Sequence, residues 1–132
     1  MRNAIVLIDT SVLIEAEKST SELAAVLPVD GPVCISAIGL AELLVGSYAG
    51  ADEDARRRRR EFHDVIRRRL RIIDFGAEEA DRYARIVGGL HMTRSERLDF
   101  MIASTALVHD LTLVTRDKKS FRRVADLKLR VI

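Results

Sequence analysis

Ala4 to Ile8 form a short apolar run rich in β-branched side chains, and Asp9 stops it at once. A run with no polar face predicts a strand covered on both sides, as in a parallel sheet flanked by helices. Thr10 and Ser11 follow as capping residues for a helix beginning near Val12, which places Asp9 where strand passes into helix. Pro28, Gly31 and Pro32 mark a loop. Val33 to Ile35 predicts a second strand. Ser36 is the expected N-cap of a helix that carries Leu40, Glu42, Leu43 and Leu44 and ends near Gly46 to Gly50.

From Asp52 to Leu70 the apolar positions Ala55, Phe62, Val65, Ile66 and Leu70 recur at helical spacing, with arginines over the remaining face. Leu70 to Phe75 predicts a third strand and Gly76 a turn. Ala80, Tyr83, Ala84, Val87 and Leu90 trace another helical stripe that frays at Gly88-Gly89. Ser95 is a cap for a helix burying Leu98, Ile102, Ala106 and Val108. Leu111 to Val114 predicts a fourth strand with Asp117 just beyond it, a helical turn surrounds Phe121, and Leu129 to Ile132 predicts the last strand.

Strand and helix therefore alternate. With right-handed crossovers between parallel strands, the pattern predicts an α/β fold, a three-layer α/β/α sandwich around a central, mostly parallel sheet of about five strands. The 132 residues suit one domain spanning positions 1–132. Asp9 and Asp117 then both lie past C-terminal strand ends, the edge at which open α/β sheets bind ligands, most of all where strand order reverses.

Composition narrows the setting. At 48% hydrophobic and 32% charged residues the chain is balanced as a globular protein is. No apolar run approaches the roughly 20 residues of a membrane span, so neither a membrane helix nor a signal peptide is expected. Cys34, the single cysteine, sits in an apolar triplet as a small buried hydrophobe and has no partner for a disulfide. A cytoplasmic location is expected. Net charge is only +2, yet nine arginines crowd between Arg56 and Arg71, including the unbroken run Arg56, Arg57, Arg58, Arg59 and Arg60. Such a run is a solvated helix face or a phosphate-binding one.

Glu42 and Asp99 each interrupt a strongly apolar helical segment, and Asp9 follows four apolar residues. Carboxylates drawn together without a cation raise one another's pKa, whereas a divalent ion keeps them ionised. Oxygen ligands alone, with His63, His91 and His109 scattered, point to magnesium, with manganese as its substitute, rather than zinc. Such an ion polarises a phosphoryl oxygen and lowers the pKa of a bound water, so hydrolysis of a phosphodiester is the expected chemistry.

Four segments, Ile8-Asp-Thr-Ser-Val-Leu-Ile14, Ser36 with Ala41-Glu-Leu43, Leu98-Asp-Phe-Met-Ile-Ala103, and Leu113-Val-Thr-Arg-Asp117 followed by Phe121, resemble in order and spacing the PIN-domain family. In particular they resemble its VapC-type toxin ribonucleases. The resemblance implies that Asp9, Glu42, Asp99 and Asp117 are catalytic metal-binding acids, with Ser11 and Thr115 as polar supports. It also implies an RNA substrate, structured RNA such as tRNA included, a homodimer and a cognate VapB-type antitoxin. Arg56 to Arg60 and Arg116 are the candidate contacts to RNA or antitoxin. Two positions depart from the family pattern. Ser120 stands where many relatives have an acid before the phenylalanine, which leaves Asp117 as the acid of that motif, and Arg97 stands where some relatives have another.

Two other functions fit parts of the pattern. A phosphatase with an aspartate nucleophile would use Asp9, but enzymes resembling the haloacid dehalogenases carry a second aspartate two residues on, where this chain has Ser11. A non-catalytic RNA- or protein-binding module would use the same acids only as a charged rim.

Overall fold

A computed structural model describes residues 5–18, 31–49, 52–117 and 119–132. Ala4, Pro28 and Gly50, named above at a strand start, in a loop and at a helix end, lie outside them. The elements run β1 (Val6–Ile8), α1 (Thr10–Lys18), β2 (Val33–Ser36), α2 (Ala37–Tyr48), α3 (Glu53–Arg69), β3 (Arg71–Ile73), α4 (Ala77–Val87), α5 (Arg94–Val108), β4 (Thr112–Thr115) and β5 (Leu129–Val131). The strands form one sheet in the order β3-β2-β1-β4-β5, and every pairing is parallel.

The three-layer expectation follows from the alternation of side chains along each strand. Val6, Ile8, Val33, Ile35 and Val114 turn to one face and join Val12, Leu13, Ala16, Leu40, Leu43 and Ile66 from α1, α2 and α3. Leu7, Cys34 and Leu113 turn to the other and join Phe100, Ile102, Ala103 and Ala106 of α5, with Tyr83, Ile86 and Val87 of α4 packed outside. Burial pushes the Cys34 thiol pKa up, as the small-hydrophobe reading requires. Among the described residues no helix is long and apolar enough to cross a membrane.

Several local expectations need correction. Helix α1 starts at Thr10 rather than near Val12, because the Val12 N–H already donates to the Asp9 carbonyl at 3.1 Å. The N-cap of α5 is Thr93, not Ser95: its hydroxyl accepts from the Glu96 N–H while the Glu96 carboxylate accepts from the Thr93 N–H, a reciprocal capping box. Strand β3 covers only Arg71–Ile73, since Leu70 still closes the last turn of α3 through Ile66. Ala80, Ala84 and Leu90 are exposed; the expected Tyr83 and Val87 are partly buried, with Ile86 in place of the other three.

Under the arginine-rich helix, His63 is buried, with Nδ1 2.6 Å from the Ser47 hydroxyl and Nε2 3.8 Å from Glu17 of α1. The bond to Ser47 ties α3 to α2, the helix that carries Glu42. Burial chiefly holds the His63 pKa below its ordinary value, against the pull of Glu17.

Candidate metal centre

The chain runs outward from β1 to β2 and β3, then returns to place β4 on the opposite side of β1. Strand order therefore reverses between β1 and β4, and the crevice lies above their C-terminal ends. Ile8 is in register with Val114, which brings Asp9 level with Thr115. The Asp9 N–H donates to the Val114 carbonyl at 2.9 Å, fixing the backbone beneath the side chain.

Asp9 is 4% exposed. Its Oδ2 accepts the hydroxyls of Ser11 and Thr115, each at 2.7 Å. Each hydroxyl has one proton, and both are committed to Asp9, so the 3.3 Å between Ser11 Oγ and Thr115 Oγ1 is a close contact, not a third bond. The N–H groups of Arg116 and Asp117 donate in turn to Ser11 Oγ at 3.1 Å and Thr115 Oγ1 at 3.0 Å. This relay polarises both hydroxyls toward the carboxylate. Ser11 and Thr115 therefore both hold Asp9, and Ser11 is no helix cap.

Helix α2 reaches the same edge without an intervening loop. Ser36 ends β2 and caps α2, its hydroxyl accepting from the Ile38 and Gly39 N–H groups at 3.0 and 3.4 Å. Gly39 permits the approach to α1, since a Cβ there would stand 3.3 Å from Thr10 Cγ2. Glu42, three residues on, is half-buried, and burial first, then the charges of Asp99 and Asp9, push its carboxyl up to about 7. Asp99, in the second turn of α5, is pushed up to about 6 by burial, then by Asp9, with smaller contributions from Asp117 and Glu96.

Three carboxylates from β1, α2 and α5 therefore feel one another, and two of their oxygens, Asp9 Oδ1 and Glu42 Oε1, are buried with no hydrogen-bond partner among the described residues. An orphaned buried oxygen costs about 1–3 kcal/mol, more when ionised. Among the described residues no three His, Cys, Asp or Glu side chains converge tightly enough to form a coordination shell. Carboxylates repel one another unless a cation lies between them. Hard oxygen donors, two of them orphaned, fit magnesium or manganese.

Asp117 follows β4 as expected but is exposed. Its Oδ1 accepts from the Lys119 and Ser120 N–H groups at 2.9 and 3.2 Å, its Oδ2 from the Ser120 hydroxyl, and these bonds hold its carboxyl below the usual range. The Ser120 hydroxyl also lies near Asp99 and tempers the rise of its pKa. In the sequence Ser120 is visible only as a missing acid. The signal for its part is the Asp-x-x-Ser spacing, which lets a side chain close on the residue three positions on.

The arginine run is largely paired. Arg56 and Arg60 meet Glu53 at 2.5 and 3.1 Å, Arg57 meets Asp54 at 2.8 Å, and Arg59 meets Glu17 at 3.3 Å. Arg58 is exposed and has no ion-pair partner among the described residues, and Arg116 is exposed beside Asp117. Arg97 is exposed in the first turn of α5.

An all-parallel α/β domain with carboxylates gathered at its switch point is the architecture of the PIN domain, and the chain belongs to that family, which matches residues 6–127. Among relatives it is similar to Ribonuclease VapC1 of Rickettsia felis, 34% identical over 93% of this chain and 92% of that one. It is similar also to Ribonuclease VapC of Rickettsia bellii, 30% identical over the same shares. Of solved structures it resembles that of VapBC2 from Rickettsia felis bound to a DNA fragment from their promoter, with a TM-score of 0.78, 27% identity and coverage of 97% of this chain and 98% of that one.

Proposed function

We propose that this chain is a magnesium-dependent endoribonuclease, active with manganese in its place, that hydrolyses RNA phosphodiester bonds as the toxin of a type II toxin–antitoxin pair. The observation that carries the metal site is the pair of buried, unpartnered oxygens on Asp9 and Glu42 within one cluster of mutually repelling acids. Asp9, Glu42 and Asp99 would hold the ion, with Asp117 beside Asp99 at the rim. Bound there, the ion would polarise a phosphoryl oxygen and lower the pKa of a water.

The chain's own residues supply the positioning. Ser11 and Thr115 fix Asp9 through Oδ2 and leave Oδ1 for the ion. Gly39 and the Ser36 cap set the height of Glu42 over the sheet edge. Arg116, exposed next to Asp117, and Arg58 are the arginines best placed to meet RNA phosphates, because most of the run is committed to acids of the protein itself.

The two curated relatives named ribonuclease VapC support RNA as the substrate, and the VapBC complex supports a VapB-type antitoxin as partner. Exposed Ile14, Val45 and Tyr48 on α1 and α2, beside the arginines of α3, suit an antitoxin segment that carries apolar and acidic side chains. Action on structured RNA such as tRNA and a homodimer complete the proposal and rest on the family resemblance.

The test is cleavage of total RNA by the purified protein with magnesium, with EDTA, and by Asp9→Asn. Cleavage only by the unaltered protein with magnesium is expected; equal cleavage by all three overturns the metal mechanism.

A further inference from the structure

Asp117 and Ser120 form a closed unit at the rim of the acid cluster. Asp117 Oδ1 already receives two backbone N–H groups, Lys119 at 2.9 Å and Ser120 at 3.2 Å, which fills its two lone-pair positions. Oδ2 receives the Ser120 hydroxyl. These bonds cap the turn over 119–124, whose Phe121 is 1% exposed and belongs to the core on the α5 side of the sheet. An Asp117 carboxylate that swung inward to grip an ion would surrender the cap and drag on a buried aromatic ring.

We infer that Ser120 is a positioning residue whose hydroxyl, donated to Asp117 beside Asp99, keeps Asp117 out of the ion's inner shell, so that this chain takes one divalent ion, on Asp9, Glu42 and Asp99. The inference rests on the metal site proposed above. Charge supports it. A second ion would need further carboxylates close by, yet position 120 is a neutral hydroxyl and position 97 an exposed arginine. Among the described residues the orphaned buried carboxylate oxygens are on Asp9 and Glu42, whereas exposed Asp117 has its own hydrogen-bond donors on both oxygens. Magnesium satisfied by few carboxylates keeps its remaining positions for water and substrate oxygens. Asp117 then acts through solvent at the rim.

Manganese titration of the purified full-length chain, by calorimetry and by the electron paramagnetic resonance of free and bound Mn2+, tests this without reference to activity. Melting in EDTA confirms that each variant is folded. One Mn2+ per chain is expected. Asp99→Asn should weaken binding by at least about tenfold, the loss seen when a metal site is dismantled, and Asp117→Asn by less than about threefold, under 1 kcal/mol. Ser120→Ala frees Asp117 Oδ2, so binding should tighten by about threefold or more or admit a second ion. Ser120→Thr, which keeps the hydroxyl, should restore the original isotherm. Two ions bound by the unaltered chain, a loss in Asp117→Asn equal to that in Asp99→Asn, or a Ser120→Ala isotherm identical to the original overturns the inference while leaving the metal site standing. No saturable Mn2+ binding by the unaltered chain overturns both.

Discussion

Glu42→Gln should make the metal-free protein more stable above neutral pH, because it removes a charge that the fold holds at a cost. The Glu42 carboxyl rises from its ordinary 4.5 to about 7, through burial first and then the charges of Asp99 and Asp9. Since the folded value lies above the unfolded one, the stability this group contributes is complete below pH about 4.5 and is lost as pH climbs through about 7. At about 1.4 kcal/mol per pH unit the rise corresponds to about 3 kcal/mol. Glu42 is only half-buried, and solvent screening reduces this to about 1–2 kcal/mol. A domain of this size shifts its melting temperature by about 3–5 °C per kcal/mol, so a gain of about 3–10 °C is expected at pH 8 in EDTA. His63 acts in the opposite sense. Its lowered pKa gives stability that is present above its ordinary 6.5 and lost as pH falls, but it is common to both proteins and cancels in their difference. Melts followed by circular dichroism from pH 4.5 to 8.5 in EDTA, then with millimolar magnesium, supply the measurement. The two curves should converge at the acid end and separate above neutrality, and magnesium should raise the unaltered protein at pH 8 but the variant little. A less stable Glu42→Gln protein at pH 8 in EDTA would refute the electrostatic argument.

Thr115→Val takes one of two donors from Asp9 Oδ2 and the acceptor from the Asp117 N–H; it should cost about 1–3 kcal/mol in denaturant unfolding and lower Mn2+ affinity by about tenfold or more. Unchanged affinity would show that the relay does not fix Asp9. Phe100→Ala, at a side chain 0% exposed in the core on the α5 side of the sheet, should cost about 3–5 kcal/mol in the same assay. Ser47→Ala leaves His63 Nδ1 without its 2.6 Å partner and should cost about 1–3 kcal/mol; a change near zero would mean that a water replaces the hydroxyl. If Arg58 and Arg116 contact RNA phosphates, replacing both with alanine should flatten the slope of log affinity against log salt by about 2, measured by RNA filter binding with Asp9→Asn as background. An unchanged slope would assign RNA binding elsewhere.

Most of the architecture was legible because burial on both faces leaves a mark that composition alone cannot hide. Val6 to Ile8, Val33 to Ile35 and Leu113-Val114 have no polar side, so their place inside a covered parallel sheet follows. The meeting of Asp9 with the end of β4 required only that these two strands be neighbours, which strand order supplies. The helix caps were less legible. Thr93 and Ser95 both suit a cap, and their hydroxyls lie 3.3 Å apart; the choice falls to Thr93 because Glu96 can answer it across the first turn. The limits of the edge strand β3 are less legible because a half-exposed edge relaxes the pattern that marks them. The pairing of the arginines was hidden for a different reason. Glu53 and Asp54 lie one helical turn before them and are visible, but the partner of Arg59, Glu17, comes from another helix.

The hold of Thr115 on Asp9 spans 106 positions of sequence. Asp9 precedes α1, and the hydroxyl that orients it comes only with β4, after all five helices of the described residues. A nascent chain with β1, α1 and α2 already folded still lacks both β4 and the relay through Arg116 and Asp117. Orientation of Asp9 is thereby tied to the long-range pairing of β1 with β4 and not to local folding.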